Sequence, residues 1–424
     1  MINYLIKGIL RDKNRSFIPV IVITIGVMLT IFLSGFLKGA MGDIVDQNAR
    51  FETGHVKIMS RAYAQNKDQL PNDLALLGVD TLMESLRRQH PDMEWVKRIR
   101  FGGLIDVPDQ NGETKGQGPA SGLAVELYST QSHEAERLNI QNALVSGTVP
   151  DQPGEALIGH VFADKLNIKI GDPVTFIGST MNGSMTFENF TVSGTIRFGM
   201  SVMDKGAFII DVADAQRMLD MQDGAGEILG YFANDVYNDD KAQQLTESFN
   251  RQYAATDDEF APEMFRLKEQ NNLAGYLDYA DNMSLLFVVI FVFAMSVVLW
   301  NTGLLGGLRR YKEFGIRLAL GEAKGHVYRT LIMEAIVIGI IGSVVGTIIG
   351  LAATWYMQTY GIDIGGMLSD ASMMMPTVIK ARLTPDLLYI GFIPGLFAMV
   401  FGNMLSGRAI YKRETANLFK ELEV

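Results

Sequence analysis

Four stretches of this chain carry no Asp, Glu, Lys or Arg over lengths that few water-exposed segments tolerate. There are 22 such residues between Arg15 and Lys38, 27 between Asp281 and Arg309, 28 between Glu334 and Asp363, and 21 between Asp386 and Arg408. A helix needs about 20 predominantly apolar residues to cross the hydrocarbon core of a bilayer. In lipid every backbone N–H and C=O must be satisfied within the segment, which favours helices. Four spans are therefore expected, at 17–40 with an outward stalk, 280–308, 331–358 and 386–408. The mean hydropathy of +0.14 is low for such a chain, because a long polar segment dilutes it. The apolar run Phe17–Leu37 exceeds the roughly 7–15 residues of a signal-peptide core, so it reads as a retained helix.

The formal net charge of −10 conceals an asymmetry. Residues 41–282 hold 20 Lys and Arg against 37 Asp and Glu, whereas the remainder holds 17 against 10. Lys7, Arg11, Lys13 and Arg15 precede the first span. Arg309, Arg310, Lys312, Arg317, Lys324 and Arg329 separate the second from the third, and Arg408, Lys412 and Arg413 follow the fourth. Positive charge accumulates on the cytoplasmic side. That rule places residues 1–16, the 309–330 loop and the 409–424 tail inside, and 41–279 and 359–385 outside. The fold class expected is an α-helical membrane protein with one N-terminal and three C-terminal transmembrane helices. A large mixed α/β extracytoplasmic domain lies between the first and second. The chain has no cysteine, which excludes disulfides and thiol chemistry. A domain of this size buries an adequate core without them.

Within the outer segment, Gly54–Met59 alternates like a strand, Leu74–Gln89 has helical periodicity, and Trp95–Val107 returns to strand character. Gly112–Gly122 reads as a polar, glycine-rich connection. Gly154–Ile177 reads as strand, short helix, tight turn at Gly171-Asp172-Pro173, and strand. A strand pair is expected at Met185–Ile196. Ala207–Asp211 is a strand running into a helix at Val212–Leu219, Gly230–Val236 is extended, and Asp240–Tyr253 is helical. The composition suggests a β-rich insertion at about 118–205. Lys38–Phe51 and Phe265–Tyr279 are expected to extend the flanking spans outward as a helical stalk.

Chemistry-bearing motifs are few. No GxxxxGK[ST] phosphate loop, HExxH pair or GxSxG elbow occurs. The five histidines, His55, His90, His133, His160 and His326, show no ligand spacing. No catalytic or metal site is expected, and the dispersed acidic residues outside read as a solvated surface. Glu334 is the single acidic residue inside an expected span, near its cytoplasmic end, and reads as an interfacial group. Gly342, Gly346 and Gly350 fall on one helix face, where another helix can approach closely. That helix belongs either to this chain or to a second copy. Gly35 and Gly39 repeat the spacing in the first span.

The loop from Arg309 to His326 resembles the signature of FtsX-like permeases, in which R-x-x-E-[FI]-G-I-x-x-A-x-G-A forms a short coupling helix. Arg310, Glu313, Phe314, Gly315, Ile316, Ala319 and Gly321 match, and Glu322 stands where the family often has alanine. Gly154-Glu155, Ile158-Gly159, Gly171-Asp172 and Val174 are similar to the extracytoplasmic segment of the same family. Gly194-Thr-Ile196, Met203–Gly206 and Asp214-Ala-Gln216 look like the lipoprotein-releasing branch. The resemblance implies a type VII ABC system in the bacterial inner membrane. Two permease protomers, identical or homologous, each engage a cytoplasmic ATPase through the loop that includes Arg317, Leu320 and His326. ATP and Mg would be bound by that partner and not by this chain. Closure of the ATPase pair would be conveyed through the stalk to the outer domain, acting on lipoprotein or peptide cargo without a channel.

On the residues alone, an amphipathic loop with Phe314, Ile316, Leu318 and Leu320 suits either a partner groove or the lipid surface. Three rival classes follow. A sensor predicts a cytoplasmic output domain, and a membrane-anchored enzyme predicts a catalytic cluster. A division-type regulator of the same family predicts a smaller outer domain. Nothing in the sequence points to nucleic acid.

Overall fold

The computed structural model describes residues 13–109, 111–129, 132–199, 201–309, 316–363 and 378–412. In chain order the elements begin with α1 Lys13–Asn48, β1 Val56–Ser60, α2 Arg61–Asn66, β2 Leu76–Leu77, α3 Val79–Gln89, β3 Met93–Pro108 and β4 Thr114–Val125. There follow α4 Glu134–Arg137, α5 Ile140–Ala143, β5 Leu144–Gly147, β6 Glu155–Gly159, α6 His160–Leu166, β7 Pro173–Ser179 and β8 Met185–Ile196. Next come α7 Ser201–Asp204, β9 Ala207–Asp211, α8 Val212–Met218, β10 Gly224–Ala225, β11 Glu227–Phe232, α9 Asp239–Tyr253 and β12 Pro262–Arg266. The chain then runs through α10 Leu273–Arg309, α11 Lys324–Tyr360, β13 Ile362–Asp363, β14 Val378–Ile379 and α12 Leu387–Lys412. Two compact units result. One comprises residues 1–43, 276–362 and 379–424, the other 44–275 and 363–378.

Among the described residues three helices are long and apolar enough to cross a membrane, Phe17–Thr53, Lys324–Tyr360 and Leu387–Met404. The remaining expected span falls in α10, whose continuous apolar run among the described residues is shorter, Leu285–Val298. Helix packing here is built on small side chains. A methyl group on Gly342 would lie 2.8 Å from Ile23 Cβ, one on Gly346 2.7 Å from the Thr24 carbonyl, and one on Gly350 3.0 Å from Ile31 Cβ. The stripe on α11 therefore receives α1 of the same chain. Ile23, Val27 and Ile31, fully buried, fill the seam. Gly391 and Gly395 of α12 close on the same residues, with a methyl on Gly395 falling 2.4 Å from Val27 Cγ2. Without a hydrophobic driving force between helices in lipid, such close van der Waals contact is what holds them. Tyr356, Tyr360 and Tyr389 are exposed at the end of α11 and the start of α12, the arrangement of an interfacial aromatic belt.

The second unit is built around β3. Its first half, from Met93 to Arg98, pairs with β11 and continues through β1 to the edge strand β12. Its second half pairs on one side with β4 and on the other with β7. Beyond β4 the ladder passes through β9, β6 and β8 and returns through β7, closing a six-stranded circuit. The circuit is filled by Phe101, Phe176, Phe190 and Phe208, with ring centroids 5.2–6.3 Å apart in mostly edge-to-face pairs. Burying large aromatics in such geometry contributes beyond area alone.

Several local expectations are corrected. Helix α3 starts at Val79, not Leu74, because Gly78 takes a left-handed conformation (φ 70°) and Leu76–Leu77 pair with Gly224–Ala225. The expected glycine-rich connection is largely strand β4. Its glycines admit rings, since a Cβ on Gly118 would lie 2.7 Å from Phe162 and one on Gly122 2.1 Å from Phe101. Met185–Ile196 is one strand of 12 residues and not a pair. The helix expected from Phe265 begins only at Leu273, because Pro262–Arg266 pairs with β1.

Candidate functional site at the root of the first helix

Helix α1 runs unbroken from Lys13 to Asn48 and ends in a wider π-turn, Ala49–Thr53. Gly54, at φ 59°, reverses the chain and donates its N–H to the Ala49 carbonyl at 2.9 Å. The last carbonyls of a helix lack intrahelical donors and carry its negative dipole end. Here the outer domain supplies cations. The Phe51 carbonyl accepts from Arg98 at 3.1 Å and from Arg100 at 2.6 Å. The Ala49 carbonyl accepts from the Tyr231 hydroxyl at 3.0 Å. The Phe51 ring packs against the apolar cluster of Val125, Leu138, Leu157 and Ile209.

Behind these contacts lies a buried charge network. Arg98 and Glu134 are both 0% exposed and paired in bidentate fashion, at 2.6 and 3.1 Å. Glu134 also accepts from Arg137 at 2.9 Å, which in turn reaches Glu94 at 2.6 Å and stacks over the Tyr231 ring at 3.8 Å. Burial works against the charge of Arg98, but the adjacent Glu134 outweighs it and raises the pKa. A second group joins Lys57 to Glu227 at 2.8 Å, with Arg100 Nε 3.6 Å from the other carboxylate oxygen. Burial opposes ionisation of Glu227, yet Lys57 and Arg100 hold its pKa below the usual range. Such buried pairs add little net stability compared with apolar residues, but removing one partner strands a charge. They define one docking geometry for the end of α1.

The chain's return is tied to the same place. Leu267 donates its N–H to the His55 carbonyl at 3.2 Å, and Gln270 donates to the Thr53 carbonyl at 3.5 Å. The Asn271 amide donates to Glu52. The His55 side chain accepts from the Phe232 N–H at 2.9 Å and lies among Tyr231, Phe232 and Tyr237.

None of these residues was singled out by sequence. The acidic residues of the outer segment were expected to be solvated, whereas Glu134 and Glu227 are buried. Alternation along β3 puts Trp95, Ile99 and Phe101 on one face and Arg98 on the other, so no local pattern marks Arg98 as buried.

Of the expected loop residues, Arg310, Glu313, Phe314 and Gly315 lie outside the described residues. Ile316, Arg317 and Ala319 occupy a helical stretch that ends at Ala319, with Leu320 in the turn, Gly321 at φ 91° and Glu322 donating its N–H to the Arg317 carbonyl at 3.0 Å. Leu318 and Leu331 pack against Val327. Ile316 and Leu320, one turn apart, are 55% and 83% exposed. His326 opens α11 with its Nε2 3.6 Å from Glu322. Among the described residues no three His, Asp or Glu converge as metal ligands.

Residues 16–248 match the MacB-like periplasmic core domain, and residues 285–415 match the FtsX-like permease C-terminal domain. The chain belongs to the FtsX/MacB permease family. It is an inner-membrane permease with a periplasmic domain, of a class that is not itself catalytic. The LolC transmembrane proteins of the lipoprotein-releasing system from two strains of Xylella fastidiosa, 9a5c and Temecula1, are each 28% identical over 216 residues. The match covers 49% of this permease and 50% of each relative, so the chain spans about half the length of the curated relatives it matches. The crystal structure of the periplasmic region of MacB from Actinobacillus actinomycetemcomitans is a distant likeness, with TM-score 0.35 and 11% identity, covering 52% of this chain and 92% of that one.

Proposed function

We propose that this permease is the membrane subunit of an ABC transporter that turns ATP hydrolysis in a separate cytoplasmic ATPase into motion of its periplasmic domain. Four helices cross the membrane, α10 being the second, with both termini and the 309–330 loop inside. Two permease protomers, identical or homologous, pair, and each carries one ATPase subunit with its ATP and Mg. The cargo is a lipoprotein or another lipidated or peptide molecule. The observation that carries this reading is the continuous α1, whose far end is gripped by Arg98, Arg100 and Tyr231. A helix end bonded in this way passes a displacement on to the sheet that holds it. Ile316 and Leu320 supply the exposed apolar knobs that a partner groove accepts.

The test is purification of the tagged, intact permease in mild detergent, followed by identification of what accompanies it. An ATP-binding subunit in equal amount is expected, and Leu320→Asp should lose it while retaining a cooperative melt. Absence of any ATPase under conditions that preserve known ABC complexes would overturn the reading.

A further inference from the structure

The glycine pair of α1, Gly35 and Gly39, has a neighbour that the stripe on α11 lacks. The chain from Lys380 to Asp386, which leads into α12, crosses α1 there as a strap. Arg382 donates its backbone N–H to the Gly35 carbonyl at 2.9 Å. A methyl group on Gly39 would fall on the Lys380 carbonyl and lie 2.7 Å from Ala381 Cα, so only glycine fits beneath the strap. Side chains tie the strap down. Lys38 donates to Asp386 and, at 3.5 Å, to Thr384, and the Gln358 amide oxygen accepts from the Leu383 N–H at 2.7 Å. Both members of the ion pair are partly exposed, and such pairs are weak ties.

The strap matters because the seam below it repeats. On α1, Ile23, Val27 and Ile31 are four residues apart, and so are the glycines that receive them, Gly342, Gly346 and Gly350. A seam with the same period on both helices fits again after a four-residue step, about 6 Å at 1.5 Å per residue. Shifts of one turn between packed elements are an established mode of conformational change. A step of α1 towards its C-terminus is blocked. Ile31 would arrive where Gly35 lies, and even a methyl group there comes within 2.5 Å of Thr354 Cγ2 and 3.4 Å of Leu387 Cδ1. Thr354 and Leu387 are both 0% exposed, so a close-packed interior leaves them no room to yield. A step towards the N-terminus sets Val27 opposite Gly342 and Ile31 opposite Gly346, and brings Gly39 beside Thr354. A gap opens where Gly35 would meet Gly350, which makes this register the less stable of the two. The obstacle in this direction is the strap, since Asp43 would arrive where only glycine fits. We infer that the 380–386 strap is a releasable stop, which holds α1 in its present register and, when lifted, lets the helix move one turn towards its N-terminus. The inference goes beyond the transporter reading, because it concerns the helix seam and stands whether or not an ATPase drives the step.

Because the chain has no cysteine, Ile18→Cys with Tyr360→Cys gives a unique pair of sites for nitroxide labels, both more than half exposed. They lie near opposite ends of α1 and α11, which run parallel along the seam, so the distance between them follows the slide. In the full-length protein in nanodiscs, double electron–electron resonance should give one distance. Lys38→Ala with Gln358→Ala, which cuts the side-chain ties, should add a second distance about 6 Å longer, four residues at 1.5 Å each. Gly35→Ile in that background fills the gap opposite Gly350 and should make the longer distance the main one. With Lys38 and Gln358 intact, Gly35→Ile should show much less of it. Asp386→Asn takes the place of the double release should that variant lose its cooperative melt. A single unlengthened distance in the released Gly35→Ile protein, or equal lengthening with the strap still tied, overturns the assignment.

Discussion

The same helix is held in two regions by opposite means. Along its apolar length α1 meets Gly342, Gly346 and Gly350 of α11, with no ionic contact among the described residues of the seam and the backbones brought close by missing side chains. At its other end it meets Arg98, Arg100 and Tyr231, with the Arg98–Glu134 pair fully buried and hydrogen bonds to its last carbonyls. The difference follows from the solvent. In lipid the alternative to packing is another apolar contact, so close fit is the main source of specificity. In a water-surrounded domain apolar burial supplies the stability, and a buried ion pair instead restricts how the pieces fit, because each misfit leaves a charge unpaired.

The comparison is broken most severely at Glu134. Glu134→Leu should cost the periplasmic domain about 3–5 kcal/mol by stranding Arg98, while Arg98→Met with Glu134→Leu should recover most of it. Urea unfolding followed by Trp95, which is 1% exposed, reads this once Trp300 and Trp355 are replaced by Phe. Equal loss in the single and double variants would show that the ions hold stability and not geometry.

His55 comes next. Burial lowers its pKa from 6.5 to about 4, against the pull of Asp235. The unfolded chain takes up a proton near 6.5, so this contribution is complete above that pH and is lost as pH falls from 6.5 towards 4. Each unit of displacement is worth about 1.4 kcal/mol. The unfolding midpoint of the same domain should therefore drop over this window, and His55→Gln should flatten the dependence between pH 6.5 and 5. An unchanged profile would place the sensitivity in other groups.

Gly346→Leu has the smallest expected effect of the three, about 1–3 kcal/mol of overpacking, read as a lower melting temperature in detergent. Ile348→Ala, on an exposed face of the same helix, should change little. A reversed order of these two would mean that the stripe does not form the seam with α1.

The two regions were also unequally legible. Charge-free length marked α1, α11 and α12 in outline, because exclusion of ions from lipid leaves its record residue by residue. The glycine spacing marked a contact face but not its occupant. In the outer domain, strands bounded by turn residues were readable, as at Glu155–Gly159 and Pro173–Ser179. The root of α1 was not. Arg98 lies 36 residues from Glu134 and 133 from Tyr231 in sequence, and nothing local to any one of them announces the partner. The glycines of β4 misled for a related reason, since their use is to admit Phe101 and Phe162 from other elements.

Strand β3 has one more consequence. It is 16 residues long, about 50 Å of contour at roughly 3.3 Å per residue, and belongs at one end to the open sheet and at the other to the closed circuit. Arg98 and Arg100, which grip α1, sit near its middle. It is thus a beam loaded close to its centre, with an arm in each half of the domain. A tilt imposed at Phe51 cannot be absorbed at a boundary between the halves, because no boundary interrupts the beam. The two ends would swing in opposite directions, so a small rotation at the fulcrum would become a larger travel at the turn between β3 and β4.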